Sequence, residues 1–131
     1  MYYFEKDYIM RLIHGIARIL ARMLFEKDLE EDGELAAVME QDCAETYDYL
    51  RAMIDAGQIN EAEEKLFDLL EAAAWERRQK AALILGFYDS LNKREDEELQ
   101  AANFSREEII SGLEDAMRMI EMEIPEYLRI S

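Results

Sequence analysis

The chain has very little proline, glycine, cysteine or histidine. Its 131 residues include one proline, five glycines, one cysteine (Cys43) and one histidine (His14). A single cysteine excludes an intramolecular disulfide and a zinc site made of cysteines. Because helix-breaking residues are rare and β-branched residues other than isoleucine are sparse, the composition favours helix almost throughout.

Long apolar runs are also missing. No stretch reaches 18 uncharged apolar residues, so no membrane span is expected. The first ten residues, MYYFEKDYIM, carry charges where a signal peptide would be apolar. We therefore expect a cytoplasmic protein.

Motifs for phosphate binding and catalysis are missing as well. The sequence holds neither a P-loop nor a G-x-G-x-x-G motif. A di-iron site needs Glu-x-x-His pairs, but the residue three before His14 is Arg11. Cys43 as a nucleophile with His14 as its base would need a third group to orient the base, and none is evident. We expect no catalytic residue, no cofactor and no metal, and an enzyme ranks third among the candidate classes.

The segment 28–40, DLEEDGELAAVME, begins like an EF-hand calcium loop. Acidic side chains stand at Asp28, Glu30 and Asp32, and a glycine follows. A calcium loop needs a bidentate glutamate at its twelfth position, and here that position is Met39. The segment is therefore interpreted as a polar turn between two helices, with Asp32 or a neighbour capping the second helix.

The overall composition predicts a folded, all-α protein. Half of the residues are apolar and 35% are charged, and no alternating strand pattern occurs. We predict one domain over residues 1–131, built as a five-helix bundle of antiparallel helical hairpins. Its parts are an amphipathic N-terminal helix within 1–27, a hairpin over 34–73 and C-terminal helices over 77–122.

Local signals set the expected helix boundaries. Gly57 ends the second helix, since a glycine commonly follows a helix C-terminus. Asn60 is expected to cap the third helix with Glu63 completing a capping box, and Ser105 with Glu108 gives the same signal for the last. The expected bounds are about 5–27, 34–56, 60–73, 77–92 and 105–122, with a short acidic helical turn at 95–102 and a last turn opened by Pro125.

Helix one is strongly amphipathic. Its apolar residues recur at 9, 12, 13, 16, 19, 20, 23 and 24 and share one wide face, which Tyr2, Tyr3 and Phe4 extend. The opposite face carries Arg11, His14, Arg18 and Arg22. A two-layer helical domain covers only one side of so wide an apolar face, and an exposed apolar strip usually has a partner. We therefore expect a homodimer formed through helix one.

The net charge of −16 is spread unevenly. Residues 1–25 carry four cations against two acids, so the remainder carries −18. Because an acidic body repels phosphate backbones and anionic membranes, neither nucleic acid nor a membrane is an expected partner. The basic row of helix one favours docking on an acidic surface of this chain, of a second copy or of another protein.

The stretch 56–71, AGQINEAEEKLFDLLE, resembles the turn and second helix of a tetratricopeptide (TPR) repeat. Gly57 matches the turn glycine of the repeat, Ala62 its small interhelix residue and Leu66 its large apolar residue. The preceding helix departs from the repeat, and no second copy follows about 34 residues later. The resemblance implies a TPR-like hairpin in the middle of the bundle rather than a solenoid.

A wider likeness covers nearly the whole chain. It is carried by FEKDYIMRLIHGIARILARMLF (4–25), INEAEEKLFDLL (59–70) and FYDSLNKREDEELQAANFSREEIISGLEDA (87–116). These segments resemble an uncharacterised family of small all-helical bacterial proteins, a domain of unknown function. The resemblance implies an all-helical fold and supplies no activity or site residue.

These observations favour a non-catalytic helical module for protein–protein interaction. Its predicted contacts are Arg11, His14, Arg18 and Arg22 of helix one and the apolar surface near Trp75. The alternative is a small-molecule- or metal-binding protein with a pocket between helices, lined by Tyr47, Trp75 and Tyr88.

Overall fold

A computed structural model of the chain describes residues 2–26 and 38–122, and for residues 2–7 it describes only the backbone. This part of the chain is helical and contains no strand, so the all-α prediction is confirmed. The described residues form six helices rather than the five expected, because the acidic segment near residue 95 forms a helix of its own. The helices are α1 (Tyr2–Phe25), α2 (Gln41–Asp55), α3 (Ile59–Ala72), α4 (Arg77–Asn92), α5 (Asp96–Ala101) and α6 (Arg106–Met119).

The central helix is α4. Its segment AALILGFY (81–88) is buried on every side, and α4 packs against α1, α2 and α6. A helix that is apolar all round belongs in the interior, because no face of it gains from contact with water. The other helices bury one face each and leave the opposite face to solvent.

Helices α2 and α3 form the predicted hairpin. The turn between them contains Gly57, which has a positive φ of 82°, a conformation that glycine adopts without a Cβ penalty. Ala62 and Leu66 of α3 are fully buried. The Lys80 ammonium group of α4 donates a hydrogen bond to the carbonyl of Leu70 at 2.8 Å, which satisfies an acceptor at the end of α3.

The predicted start of the second helix at residue 34 is wrong. Helix α2 begins at Gln41, and residues 38–40 are not α-helical. The reason is a hydrogen-bond clamp from α4. The Gln79 side chain accepts a bond from the backbone N–H of Glu40 at 2.6 Å and donates one to the carbonyl of Val38 at 2.9 Å. These bonds fix the backbone just before α2, where Glu40 is extended, so Glu40, not Asp32, occupies the N-cap position.

The predicted capping box of the third helix is also wrong. Helix α3 begins at Ile59 with Gln58 at the N-cap, and no side chain caps it. Asn60 instead donates a hydrogen bond to the carbonyl of Ala102 at 2.8 Å, and Glu63 accepts one from Tyr88. Both side chains are used in tertiary contacts rather than in the local motif.

The remaining boundaries follow local signals. The helical break near residue 75 and the start of α4 at Arg77 agree with the prediction. Ser105 caps α6, since its hydroxyl accepts a hydrogen bond from the backbone N–H of Glu108 at 3.2 Å. Helix α6 ends at Met119, three residues before the expected end. The acidic residues 28–37 and the turn expected at Pro125 lie outside the described part of the chain.

Candidate interaction surfaces

One exposed surface runs along α1 and is called here the α1 outer face. Its apolar members are exposed: Tyr8 by 58%, Ile19 by 36% and Met23 by 61%. At about 100° per residue they fall within about 80° of one another, together with half-buried Leu12 and Gly15. A Cβ built on Gly15 meets no atom within 4 Å, so the surface is open at its centre.

Arginines border this apolar strip on one side. Arg11, Arg18 and Arg22 are exposed and fall within about 40° of one another around the helix, adjacent to Gly15. The α1 outer face is therefore a strip of apolar side chains with a row of guanidinium groups along one edge. The buried face of α1 lies on the other side of the helix and includes Ile13, Ala17 and Leu20.

His14 does not belong to this row. It is half-buried, and its Nδ1 lies 3.5 Å from Oδ1 of Asp89 on α4, a carboxylate that is almost fully buried. Lys93 approaches the other oxygen of Asp89 at 3.1 Å. His14 therefore takes part in the packing of α1 on α4, although it lies one helical turn from Arg11 and Arg18 and its side chain is 41% exposed.

Trp75 borders a second exposed surface, which is called here the α2–α3 groove. This shallow depression, about 430 Å³, lies between the outer sides of α2 and α3 and the segment that follows α3. Tyr49 is 55% exposed within it, and the exposed acids Asp42 and Glu45 line it from α2. Its full lining is Asp42, Glu45, Thr46, Tyr49, Lys65, Leu69, Ala73 and Trp75.

The groove that contains Trp75 is not the pocket expected between Tyr47, Trp75 and Tyr88. Neither Tyr47 nor Tyr88 lines the groove that contains Trp75. The Tyr47 hydroxyl lies 3.4 Å from the carbonyl of Gly86, and Tyr88 is almost fully buried. Tyr88 thus lies inside the bundle, whereas Tyr47 and Trp75 are both half-buried and pack against the core from its edge.

Tyr88 and Glu63 form a hydrogen-bonded pair where α3, α4 and α6 meet. The tyrosine hydroxyl donates to Oε2 of Glu63 at 2.7 Å. Gly112 of α6 packs against both groups, and a Cβ at this glycine would lie 2.7 Å from the Tyr88 hydroxyl and would also clash with the Glu63 carboxylate. Burial raises the pKa of both groups, and the nearby carboxylate of Asp115 raises it further.

A cavity of about 360 Å³ lies where α5 and the start of α6 approach Ile9 of α1. Its lining includes Arg106, whose guanidinium is buried and bonded to Asp96 and to the carbonyls of Asn92 and Arg94. Since those bonds occupy the guanidinium, this cavity offers no cation for an anionic ligand.

The structure does not join Cys43 to His14. Cys43 is fully buried, and its Sγ lies 3.6 Å from the carbonyl of Gln79, whereas His14 contacts Asp89, about 15 Å further along α4. Burial, with a contribution from Glu40, raises the pKa of the Cys43 thiol to about 11, which keeps it protonated.

Within residues 2–26 and 38–122, no group of three or more histidine, cysteine or acidic side chains is arranged to hold a metal ion. No helix in this part of the chain is long and apolar enough to cross a membrane.

Sequence reasoning missed several residues of these surfaces. Ile19 and Met23 were assigned to the apolar face of helix one together with residues that prove to be buried, and nothing local distinguishes them. Tyr49 could have been found, because it lies one helical turn after Glu45 and so shares its face of α2.

Comparison with known proteins gives a family but no activity. No curated protein and no solved structure matches the chain. Residues 3–121 match the profile of a family described as "Family of unknown function (DUF6483)". This agrees with the resemblance to an uncharacterised helical family seen in the sequence. Since the match covers nearly the whole chain, the protein belongs to DUF6483, a family whose function is unknown.

Proposed function

We propose that the protein is a non-catalytic helical module that binds a protein partner through the α1 outer face. The observation that carries the proposal is the exposure of Tyr8, Ile19 and Met23 on one face of a helix whose opposite face is buried in the core. Contiguous exposed apolar side chains on a folded domain indicate an interaction site, because removing apolar surface from water lowers the free energy when a partner covers it.

The chemistry of the strip defines the partner. A guanidinium row beside apolar side chains suits a surface that offers carboxylates next to apolar groups, since arginine binds carboxylates through two parallel hydrogen bonds. The net charge of −16 opposes binding to phosphate backbones and anionic membranes, which supports a protein partner. The resemblance of residues 56–71 to part of a TPR repeat, with Trp75 shortly after them, supports a second contact surface on the same module.

Site-specific photo-crosslinking tests this proposal. A benzoylphenylalanine residue replaces Met23 in the full chain, and the protein is irradiated in the cells that naturally express it. The matched control carries the same probe at Glu97, an exposed position on α5. A further variant combines the probe at Met23 with R18E/R22E, which reverses two charges of the arginine row.

We expect discrete protein adducts from the probe at Met23, none from the probe at Glu97, and their loss with R18E/R22E. The partner is then identified by mass spectrometry. Equal adducts at both positions, or none at Met23, would overturn the proposal.

A further inference from the structure

From the proposed binding role of the α1 outer face, we infer that its partner is the α2–α3 groove of a second copy of this chain. The apolar strip of α1 and its arginine row would lie over Trp75 and Tyr49, with the guanidinium groups facing Asp42 and Glu45. Each copy carries both halves of this contact, so the chain would assemble with itself.

The groove has the chemistry that the α1 outer face needs. Tyr49 and half-buried Trp75 offer aromatic faces, and Leu69 adds apolar surface. Asp42 and Glu45 supply two exposed carboxylates from the first turns of α2, against one exposed cation in the lining, Lys65 of α3. Arginine stacks on aromatic faces as well as pairing with carboxylates, so a row of guanidinium groups can use both kinds of group.

Charge argues against the simpler dimer in which two α1 helices pack on each other. In an antiparallel pair related by a two-fold axis, each edge of one helix faces the same edge of its partner. The three arginines of one copy would therefore meet the three arginines of the other, and like charges brought together oppose association. Docking α1 on the acidic groove replaces this repulsion with attraction.

Both surfaces are exposed in the same copy, which a dimer with two such contacts requires. Helix α1 packs on α4 and α6, whereas α2 packs on α3 and α4, so the α1 outer face and the groove belong to different helices and are exposed together in one copy. In a two-fold dimer each copy gives its α1 to the groove of the other, so the contact occurs twice. Two contacts of about 800 Å² each would reach the size of a standard stable interface.

Charge reversal in matched pairs tests the inference by sedimentation velocity over a range of protein concentrations. One variant is R18E/R22E and the other is D42R/E45R. Each variant alone places like charges at both contacts of a dimer, so we expect each to weaken self-association at least about tenfold. In an equimolar mixture both contacts again join opposite charges, and the association should return as a mixed dimer.

Two controls accompany these variants. The E97R/E107R variant changes the net charge as much as D42R/E45R does, but at exposed positions on α5 and α6, and we expect it to associate like the unmodified chain. Circular dichroism checks that every variant keeps its helix content. Since Trp75 is the only tryptophan, its fluorescence emission reports directly on the groove and should shift to shorter wavelength as the unmodified protein associates.

An unmodified chain that sediments as a monomer at all concentrations overturns the inference. So does association that survives both charge reversals, or a mixture that fails to restore it. The proposed function has a separate outcome, because adducts of the Met23 probe with a different protein would preserve the binding role of α1 while excluding a second copy as its partner.

Discussion

At the scale of single residues, the buried pair of Tyr88 and Glu63 shows how polar groups are placed in this bundle. The pair lies where three helices meet, and Gly112 gives the α6 backbone room to approach it. Burial is the main cause of the raised pKa of Glu63, Glu108 and Asp115 add to it, and the hydrogen bond from Tyr88 opposes it. The folded protein therefore binds a proton at Glu63 more tightly than the unfolded chain does.

This arrangement predicts how stability depends on pH. Because the folded pKa of Glu63 lies above its ordinary value of 4.5, the stabilisation from the protonated carboxyl is present below pH 4.5 and is lost as pH rises through the folded pKa. We expect Glu63→Gln, which keeps an acceptor for Tyr88 without the charge, to be more stable than the unmodified protein at pH 7. Urea unfolding of both proteins between pH 4 and 8 measures the difference.

The exposed neighbour Glu64 provides the control, since Glu64→Gln changes the net charge equally outside the buried pair. If Glu63→Gln proves less stable than the unmodified protein at pH 7, the prediction is wrong. The hydrogen bond from Tyr88 to the ionised carboxylate would then stabilise the fold by more than burial of that charge destabilises it.

The same residues show why local motifs can mislead. Asn60 and Glu63 have the spacing of a capping box, yet each has a partner more than 20 residues away in sequence. The motif requires only two residues three apart in sequence. The hydrogen bonds that Asn60 and Glu63 form in the structure require Ala102 and Tyr88, which are distant in sequence and are brought near only by the fold.

At the scale of helices, Arg106 connects the end of α4, the start of α5 and the start of α6. Its guanidinium is buried and donates to the carboxylate of Asp96 and to the carbonyls of Asn92 and Arg94 at 2.8–3.2 Å. Removing the buried guanidinium takes the donor from the carboxylate and from both carbonyls at once. We therefore expect Arg106→Met to lower the free energy of unfolding by about 3–5 kcal/mol, measured by urea denaturation.

Arg118 on the same helix is the matched control. It pairs with Asp115 at 2.9 Å, but both side chains are about 60% exposed. Exposed pairs of this kind contribute little, so Arg118→Met should cost less than about 1 kcal/mol. Equal decreases in the free energy of unfolding for Arg106→Met and Arg118→Met would show that the hydrogen bonds of Arg106 do not stabilise the junction of the three helices.

The helices that the sequence predicted well are those whose ends depend on local chemistry. Ser105 caps α6 and Gly57 ends the turn after α2, because in each case the residue acts on backbone groups within a few positions. The start of α2 depends instead on Gln79, which lies 39 residues after Glu40. No local sequence pattern indicates that a side chain of α4 will bond to the backbone of Val38 and Glu40.

At the scale of the whole molecule, the net charge of −16 opposes the compact state through self-repulsion. Added salt screens this repulsion, since the Debye length falls from about 10 Å at 0.1 M to about 3 Å at 1 M. We therefore expect the urea midpoint of the monomer to rise with sodium chloride, at protein concentrations too low for association.

The charge-reversal variants give this prediction its control. Each reversal changes the net charge by two, so R18E/R22E carries −20 and D42R/E45R carries −12. The increase in urea midpoint with sodium chloride should be larger for R18E/R22E than for the unmodified protein, and smaller for D42R/E45R. A midpoint that falls with salt would mean that ion pairs outweigh self-repulsion in this molecule.

The sequence also limited what could be predicted of the binding surface. The positions of Arg11, Arg18 and Arg22 on one exposed side of α1 follow from helical spacing alone. Which apolar residues of the same helix stay exposed depends on where α4 and α6 come to lie, so Ile19 and Met23 were grouped with the buried Ile16 and Leu20. Nor does the spacing bring Trp75 beside Tyr49, because the two belong to segments more than 20 residues apart.

The central position of α4 has a consequence for how the protein is made. A ribosome completes α1 and α2 before it reaches α4, the helix on which both pack. At 5–20 residues per second, the interval between the last residue of α1 and the last of α4 is roughly 3–13 s. During that time α1 and α2 lack the helix on which both pack, so their apolar faces stay exposed to water, and we expect a chain truncated before α4 to aggregate.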